Sequence, residues 1–274
     1  MRIYEKSYYI SHHYFFSRPP SLIYNTHIEE KMEEKVNVEP LKKDIENNAT
    51  FKILYPRCSD PAIVEKGNKF SIIIQKCEFS QIYVKISTAY EPVVDEIYLK
   101  VEKYNIDSNV TIIAKVPEDT PEELYNLTII IYNGSYFFKT EPRAVSIVDE
   151  IDGNFTFVHV TDFHIGDLRG MKENIKETVG WKAAKKCIQE VNLIHPDFVV
   201  ITGDLVFGQL YPFEYSFEYK KLYQILQEFD VPTYLCPGNH DGYVQCGQDG
   251  FEFWQKYFGS IYYSFDYGKA HYNG

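Results

Sequence analysis

Residues 196–208 read PDFVVITGDLVFG, an apolar run that is interrupted by a glycine and an aspartate. The first part of the run lacks alternating polar residues, which is typical of a strand buried on both faces of a parallel sheet. The flanking segments, TVGWKAAKKCIQEVNLI (178–194) and EYKKLYQILQEF (218–229), place apolar residues at helical spacing. A buried strand between two amphipathic helices predicts an α/β unit at this point of the chain.

Two further strands complete this unit. FTFVHV (155–160) precedes the first helix and VPTYLC (231–236) follows the second. Each of the three strands is followed by a polar cluster: TDFHIGD (161–167), TGDLVFG (202–208) and PGNHDG (237–242). Parallel strands joined by right-handed crossovers bring their carboxyl ends to one edge of a sheet, where sites form. Five side chains are therefore expected to meet there: Asp162, His164, Asp204, Asn239 and His240.

The third cluster has two interpretations. The sequence Pro-Gly-Asn at 237–239 is ordinary turn chemistry, which would give Asn239 and His240 no function. The convergence of three polar clusters on one edge favours the second interpretation, in which these side chains line a site.

These side chains are suitable ligands for hard or borderline divalent metals. Asp162 and His164, two residues apart in an extended loop, can approach one ion together. The carboxylate of Asp204 can bridge two ions, and the carbonyl oxygen of Asn239 is a neutral ligand for the second. Oxygen and nitrogen ligands without a thiolate favour Mn, Fe, Zn or Co. Two such ions, about 3.5–4 Å apart, can stabilise an in-line displacement at phosphorus.

Residues 155–274 resemble the N-terminal part of a calcineurin-like metallophosphoesterase domain. The resemblance rests on three motifs in the family's order: D-x-H at 162–164, G-D at 203–204 and G-N-H-D at 238–241. The segment YYSFDYGKAHY (262–272) is similar to the strand that follows in purple-acid-phosphatase-like members. The resemblance implies a four-layer α/β/β/α sandwich, truncated here, that hydrolyses a phosphate ester at a dinuclear metal centre.

The resemblance also implies a role for each motif residue. Asp162 and His164 would bind the first metal ion, Asp204 would bridge both ions, and Asn239 would bind the second.

His240 and Asp241 would be catalytic residues that do not bind metal. The imidazole of His240 would stand over the phosphoryl group, stabilise the transition state and protonate the leaving oxygen. The carboxylate of Asp241 would orient His240.

Two features depart from the family's pattern. Many members have an acidic residue three positions after the bridging aspartate, where this chain has Phe207. The family also completes its metal centre with three histidines in downstream G-H and G-H-x-H motifs, which residues 1–274 do not contain. We therefore expect the 274-residue chain itself to bind at most one divalent ion, weakly, and to show little or no turnover.

The preceding part of the chain has a different pattern. Residues 50–149 contain short β-branched or aromatic runs separated by turn-rich pieces, which predicts a β-sandwich. Purple-acid-phosphatase-like members often carry such an Ig-like or fibronectin-like domain in front of the catalytic one. We therefore expect a tail or short peripheral segment at 1–49, an Ig-like β-sandwich at 50–149 and the metallophosphoesterase portion at 150–274.

Composition restricts the partners. The formal net charge of −11 argues against binding nucleic acid through a basic face, although a bound metal could still attract a phosphate ester. We expect no transmembrane segment, since no apolar run is long enough. The five cysteines lack C-x-x-C spacing, which argues against a zinc knuckle; Cys58 and Cys77 form either one bridge or two free thiols.

Glycosylation sequons suggest a compartment and an alternative function. Five N-x-S/T sequons, all before residue 160, favour an extracellular or cell-surface location, although the N-terminus contains no recognisable signal peptide. They begin at Asn48, Asn109, Asn126, Asn133 and Asn154. The alternative to an enzyme is therefore a non-catalytic surface or binding protein with a vestigial metal site.

Overall fold

The computed structural model describes residues 6–10, 48–88, 96–151, 153–208, 214–243 and 248–274, with residues 6–10 described as backbone only. Most of the segment at 1–49 that we predicted to be a tail or peripheral element lies outside these ranges. The strands of the described part are β1 Lys6–Ile10, β2 Ile53–Tyr55, β3 Ala62–Glu65, β4 Lys69–Gln75, β5 Gln81–Thr88, β6 Glu96–Ile106, β7 Asn109–Lys115, β8 Glu123–Tyr132, β9 Tyr136–Val148, β10 Thr156–Thr161, β11 Phe198–Thr202, β12 Thr233–Cys236, β13 Ser264–Tyr267 and β14 Ala270–Asn273. The helices are α1 Val179–Ile194, α2 Glu214–Leu226 and α3 Gly250–Tyr257, with 3-10 turns at Ile175–Glu177 and His240–Gly242.

A four-stranded parallel sheet carries the predicted site. Its order is β1-β10-β11-β12, and every neighbouring pair is parallel. Thr161 pairs with Thr202, and Thr202 pairs with Cys236, so the last residues of β10, β11 and β12 lie side by side. The loops that follow these three strands therefore leave the sheet at one edge, as the sequence pattern predicts.

The two faces of this sheet are covered differently. Helices α1, α2 and α3 contribute buried side chains to one core with the strands, including Trp181, Leu222 and Trp254. The opposite face carries aromatic rings that pack against the β13–β14 hairpin. The rings of Tyr234 and Phe265 are parallel there, with centroids 3.5 Å apart. The apolar stripe of each helix thus determines which side of the helix packs against the sheet.

A curled, mixed sheet of eight strands occupies most of residues 51–148. Its order is β2-β4-β7-β6-β5-β8-β9-β3, and only the β3–β9 pair is parallel. The long strand β6 pairs with β5 over Glu96–Leu99 and with β7 over Lys100–Ile106, with a register shift between Val101 and Lys103. The bulge turns one half of the sheet over the other, so the inner residues of both halves share one core.

Two sequence expectations can be compared with simple structural facts. Cys58 and Cys77 are both free thiols, which selects that alternative over a bridge. No helix in the described ranges combines the length and the apolar character that crossing a membrane requires.

The loop between β2 and β3 joins the eight-stranded sheet to the α/β unit. The Arg57 side chain, 12% exposed, forms an ion pair with Glu141 of β9, with Nε and Oε1 2.9 Å apart. Its Nη2 donates to the carbonyl of Tyr257 in α3 at 2.9 Å, and its Nη1 donates to that of Ile53 at 3.2 Å. One buried guanidinium therefore binds strands and helix together.

We predict that Arg57→Met will destabilise the whole chain. The substitution leaves the buried Glu141 carboxylate without its cation, which typically costs about 3–5 kcal/mol. Lys186→Met is the matched control, because Lys186 forms an exposed pair with Glu190 on α1. Urea unfolding should show a large loss for Arg57→Met and little change for Lys186→Met; equal midpoints would contradict this role of Arg57.

Candidate metal centre

Three of the predicted site residues meet at the edge of the parallel sheet. Candidate ligand atoms of His164, Asp204 and His240 all lie within 4.8 Å of one another. They come from the loops after β10, β11 and β12 respectively, so each strand supplies one of them. The rings of His164 and His240 lie edge to face, with centroids 4.7 Å apart.

The backbone is in an unusual conformation at these positions. Asp162, His164 and Asp204 have φ values of 60°, 47° and 53°, in the left-handed region. Residues other than glycine adopt this region infrequently, at a cost of order 1–3 kcal/mol, and they do so mainly at functional sites. The loops are therefore locally strained, and the strained backbone determines the directions of these three side chains.

Backbone hydrogen bonds between the loops hold this conformation. Asp162 donates its amide to the Gly203 carbonyl at 3.2 Å, and His164 donates to the Asp204 carbonyl at 2.9 Å. Gly203 in turn donates to the carbonyl of Cys236 at 2.8 Å. The pairing of the three strands thus continues into the loops, which fixes the positions of Asp162, His164 and Asp204 relative to one another.

Asp241 lies behind the site and ties two loops together. Its carboxylate accepts the amides of Leu205 and Val206 at 3.0 Å each through Oδ1, and that of Gly238 at 2.7 Å through Oδ2. Burial raises the pKa of Asp241 to about 6, although the three amides act in the opposite direction. The carboxylate therefore stabilises the loops after β11 and β12.

The imidazole of His240 contacts a backbone carbonyl, whereas the carboxylate of Asp241 contacts backbone amides. The Nδ1 atom of His240 lies 2.6 Å from the carbonyl oxygen of Phe207. Because a carbonyl only accepts, Nδ1 must carry the proton, and Nε2 is left as the atom that can exchange one with a ligand. The His240 amide also donates to Asp204 Oδ1 at 3.0 Å.

Asp162 and Asn239 lie at the exposed rim of the cluster. Asp162 Oδ1 lies 3.4 Å from His164 Nε2, and its side chain is 47% exposed. Asn239 is exposed, and its amide nitrogen donates to the Tyr243 hydroxyl at 2.5 Å. With the nitrogen engaged in this way, the Asn239 carbonyl oxygen is the side-chain atom that can approach a ligand.

The residues present fit a divalent cation. The Nδ1 atom of His164 is buried and has no hydrogen-bond partner among the described residues. Burial, and then the neighbouring His240, lower the pKa of His164, which favours the neutral imidazole that metal binding requires. Carboxylates of Asp162 and Asp204 beside it complete an oxygen and nitrogen donor set of the kind that Mn, Fe, Zn and Co accept.

Helix α2 contributes contacts that the sequence analysis did not identify. The Tyr215 hydroxyl donates to the His240 carbonyl at 2.5 Å, and the Tyr219 hydroxyl donates to the Asp241 carbonyl at 2.6 Å. Glu218 accepts the Gly208 amide at 2.9 Å. The detectable signal was a pair of glutamates, Glu214 and Glu218, on a helix face that the apolar spacing marks as buried.

Gly238 allows the second and third loops to approach each other. A Cβ atom built at Gly238 would collide with the amide nitrogen and the carboxylate of Asp204, and with Gly203. The loops could therefore not accept a side chain here without displacing the Asp204 ligand.

We predict that Gly238→Ala will destabilise the protein and displace Asp204. Gly153→Ala is the matched control, because a Cβ there meets nothing within 4 Å. Thermal unfolding should show a lower melting temperature for Gly238→Ala only, by the equivalent of more than about 1 kcal/mol. Identical melting curves for the two variants would show that the loops tolerate the added methyl group.

Comparison with known proteins agrees with this geometry. A family model described as calcineurin-like phosphoesterase matches residues 155–273. The DNA double-strand break repair protein Mre11 of Methanococcus maripaludis is 31% identical over 117 residues, which cover 42% of this chain and 31% of that protein. The probable glycerophosphodiester phosphodiesterase GpdQ of Arcobacter nitrofigilis is 36% identical over 89 residues, 31% of this chain and 29% of that protein.

A solved structure was also found. The purple acid phosphatase PPD1 from yellow lupin seeds aligns with 76% of this chain and 43% of its own, at 14% identity and a TM-score of 0.41. The chain spans less than a third of the length of the Mre11 and GpdQ relatives. Family model and relatives confirm the resemblance carried by the D-x-H, G-D and G-N-H-D motifs. Residues 155–273 of the chain are therefore similar in sequence to calcineurin-like phosphoesterases.

Proposed function

We propose that this chain carries part of a metal-dependent phosphoester hydrolase, a phosphatase or phosphodiesterase with a dinuclear centre. The observation that carries the proposal is the meeting of His164, Asp204 and His240 within 4.8 Å at the ends of three parallel strands. An accidental cluster would not require left-handed backbone at two of its members, His164 and Asp204. Similarity to calcineurin-like phosphoesterases supplies the reaction class.

The ligands divide between two ions. Asp162 and His164 would hold the first, Asp204 both, and Asn239 the second. When bound, such ions supply a nucleophile at neutral pH and stabilise the charge that develops on the phosphoryl oxygens. The oxygen and nitrogen donor set suits Mn, Fe, Zn or Co.

His240 is the residue that we assign to proton transfer. Its ring is fixed by the Phe207 carbonyl at Nδ1, and its peptide is fixed by Tyr215 and Asp204. The remaining ring nitrogen, Nε2, can hold a proton and deliver it to the leaving oxygen of a phosphate ester. Asp241 supports this role indirectly, because it holds the loops on both sides of His240.

The domain arrangement belongs to the same proposal. We assign the curled sheet to an Ig-like β-sandwich at 50–149 and residues 150–274 to the first portion of a four-layer α/β/β/α catalytic domain. The substrate would be a phosphate ester without specific nucleic-acid binding. The relative from Methanococcus is named for DNA repair, but the net charge of −11 disfavours an extended DNA contact here.

Metal binding gives the first test. Electron paramagnetic resonance of Mn²⁺ added to the 274-residue chain should show one weakly bound ion, and Asp204→Asn should abolish its binding. Asp266→Asn is the control, because Asp266 pairs with His271 outside the cluster as Asp162 pairs with His164 inside it. Undiminished binding by Asp204→Asn would contradict the proposed ligand set. Two tightly held ions in the wild-type chain would contradict the expectation that residues 1–274 bind one ion weakly.

Catalysis gives the second test, made on the protein in the full length that its gene encodes. Hydrolysis of p-nitrophenyl phosphate and bis(p-nitrophenyl) phosphate with Mn²⁺ should be lost in Asp204→Asn. In His240→Ala it should fall by about 10²–10⁴-fold, the usual contribution of a general acid. The loss in His240→Ala should be smaller for substrates with better leaving groups, and a uniform loss would contradict proton donation by His240.

A further inference from the structure

A carboxyl group is buried beside the site without binding any ligand of the proposed centre. Glu218 of α2 is only 1% exposed, although the helix face that it shares with Glu214 otherwise packs into the apolar core. Burying an ionisable group is costly unless its contacts compensate for lost hydration. The contacts of Glu218 therefore indicate what the group does.

One oxygen of Glu218 holds the loop after β11. Its Oε2 accepts the Gly208 amide at 2.9 Å, while the Phe207 amide donates to the Ile165 carbonyl at 3.0 Å. The carbonyl of Phe207, in the same stretch, is the acceptor for His240 Nδ1 at 2.6 Å. Glu218 is thus connected to the His240 ring through a single short segment of backbone.

The other oxygen faces the loop after β10. A Cβ atom at Gly166 would coincide with Oε1 of Glu218, so the absence of a side chain at Gly166 makes room for the carboxyl group. Oε1 has no hydrogen-bond partner within the described part of the chain. Glu218 therefore packs between the loop that carries His164 and the loop that carries Asp204.

Helix α2 also holds His240 from the other side. Gly208 lies close to the Tyr215 ring and the His240 carbonyl, and the Tyr215 hydroxyl donates to that carbonyl at 2.5 Å. One turn of the helix thus contacts both the peptide of His240 and the segment that orients its ring.

We propose that Glu218 is a positioning residue for His240, which acts by fixing the Phe207–Gly208 backbone whose carbonyl orients the imidazole. This inference rests on the proposed function of His240 as the proton donor. It assigns to Glu218 no contact with substrate or metal.

The ionisation of Glu218 is consistent with this role. Burial, followed by the nearby Glu214, raises the pKa of Glu218 to about 8, and Asp241 acts in the same direction. The group is therefore mainly a neutral carboxylic acid at pH 7, and an amide side chain can replace its acceptor oxygen. Glu218→Gln, which keeps an acceptor oxygen at this position, is therefore the conservative variant for the test.

The test measures the tautomer of His240 in the metal-free chain by ¹⁵N NMR, at about pH 7.5, where an ordinary imidazole is mostly neutral. The variants are Glu218→Gln, which keeps an acceptor, and Glu218→Met, which removes it while retaining an unbranched side chain. Leu222→Ala on the same helix is the control for general destabilisation, because Leu222 is fully buried in the core.

The wild-type chain, Glu218→Gln and Leu222→Ala should all show the Nδ1–H form. Glu218→Met should shift His240 towards the Nε2–H form that free histidine favours in water. An unchanged tautomer in folded Glu218→Met, or the Nε2–H form in the wild-type chain, would overturn the proposal. If Glu218→Met does not fold, loss of the Nδ1–H form in Glu218→Gln together with a native amide spectrum would equally overturn it, since the acceptor is then present without effect.

The measurement uses neither metal nor substrate. A failure of the phosphoesterase assays would therefore leave the tautomer result interpretable, and a wrong assignment of Glu218 would leave the metal-binding test intact. In the active protein, Glu218→Met should lower kcat, and Glu218→Gln should restore it.

Discussion

The candidate centre depends on one buried carboxylate that joins two loops. Asp241 binds the amides of Leu205 and Val206 from the loop after β11, and that of Gly238 from its own loop. Without such an acceptor, three buried amides would lose their partners at about 1–3 kcal/mol each. The same contact fixes the separation between the segment that carries Asp204 and the segment that carries His240. A single side chain thus helps to hold Asp204 and His240 at their observed separation.

Much of the parallel sheet could be predicted from its sequence because the signals there are local. The strands at 155–160, 198–202 and 233–236 are short and mainly apolar, and the helix between the first two has a regular apolar stripe. Their carboxyl ends then had to meet, since parallel strands with right-handed crossovers leave no other arrangement. The meeting of His164, Asp204 and His240 follows from topology and does not require knowledge of any side-chain contact.

Other features could not be predicted, since they depend on contacts between distant segments. The Phe207 carbonyl orients His240, and no residue type identifies a backbone acceptor in a sequence. The polar contacts of Tyr215, Glu218 and Tyr219 arise only when α2 packs against the loops. The bend in β6, which lets one strand serve both halves of the curled sheet, comes from a bulge without a glycine or proline to mark it.

The left-handed backbone at Asp162, His164 and Asp204 shows that contacts with the surrounding structure maintain the site. Each position is strained by itself, and isolated loops of this composition would relax to extended or helical conformations. The strain persists because the surrounding hydrogen bonds determine the loops from several directions: neighbouring loops, the Asp241 carboxylate and the hydroxyls of α2. These contacts are made by the protein alone. The arrangement of the candidate site is therefore held by many contacts within the polypeptide itself.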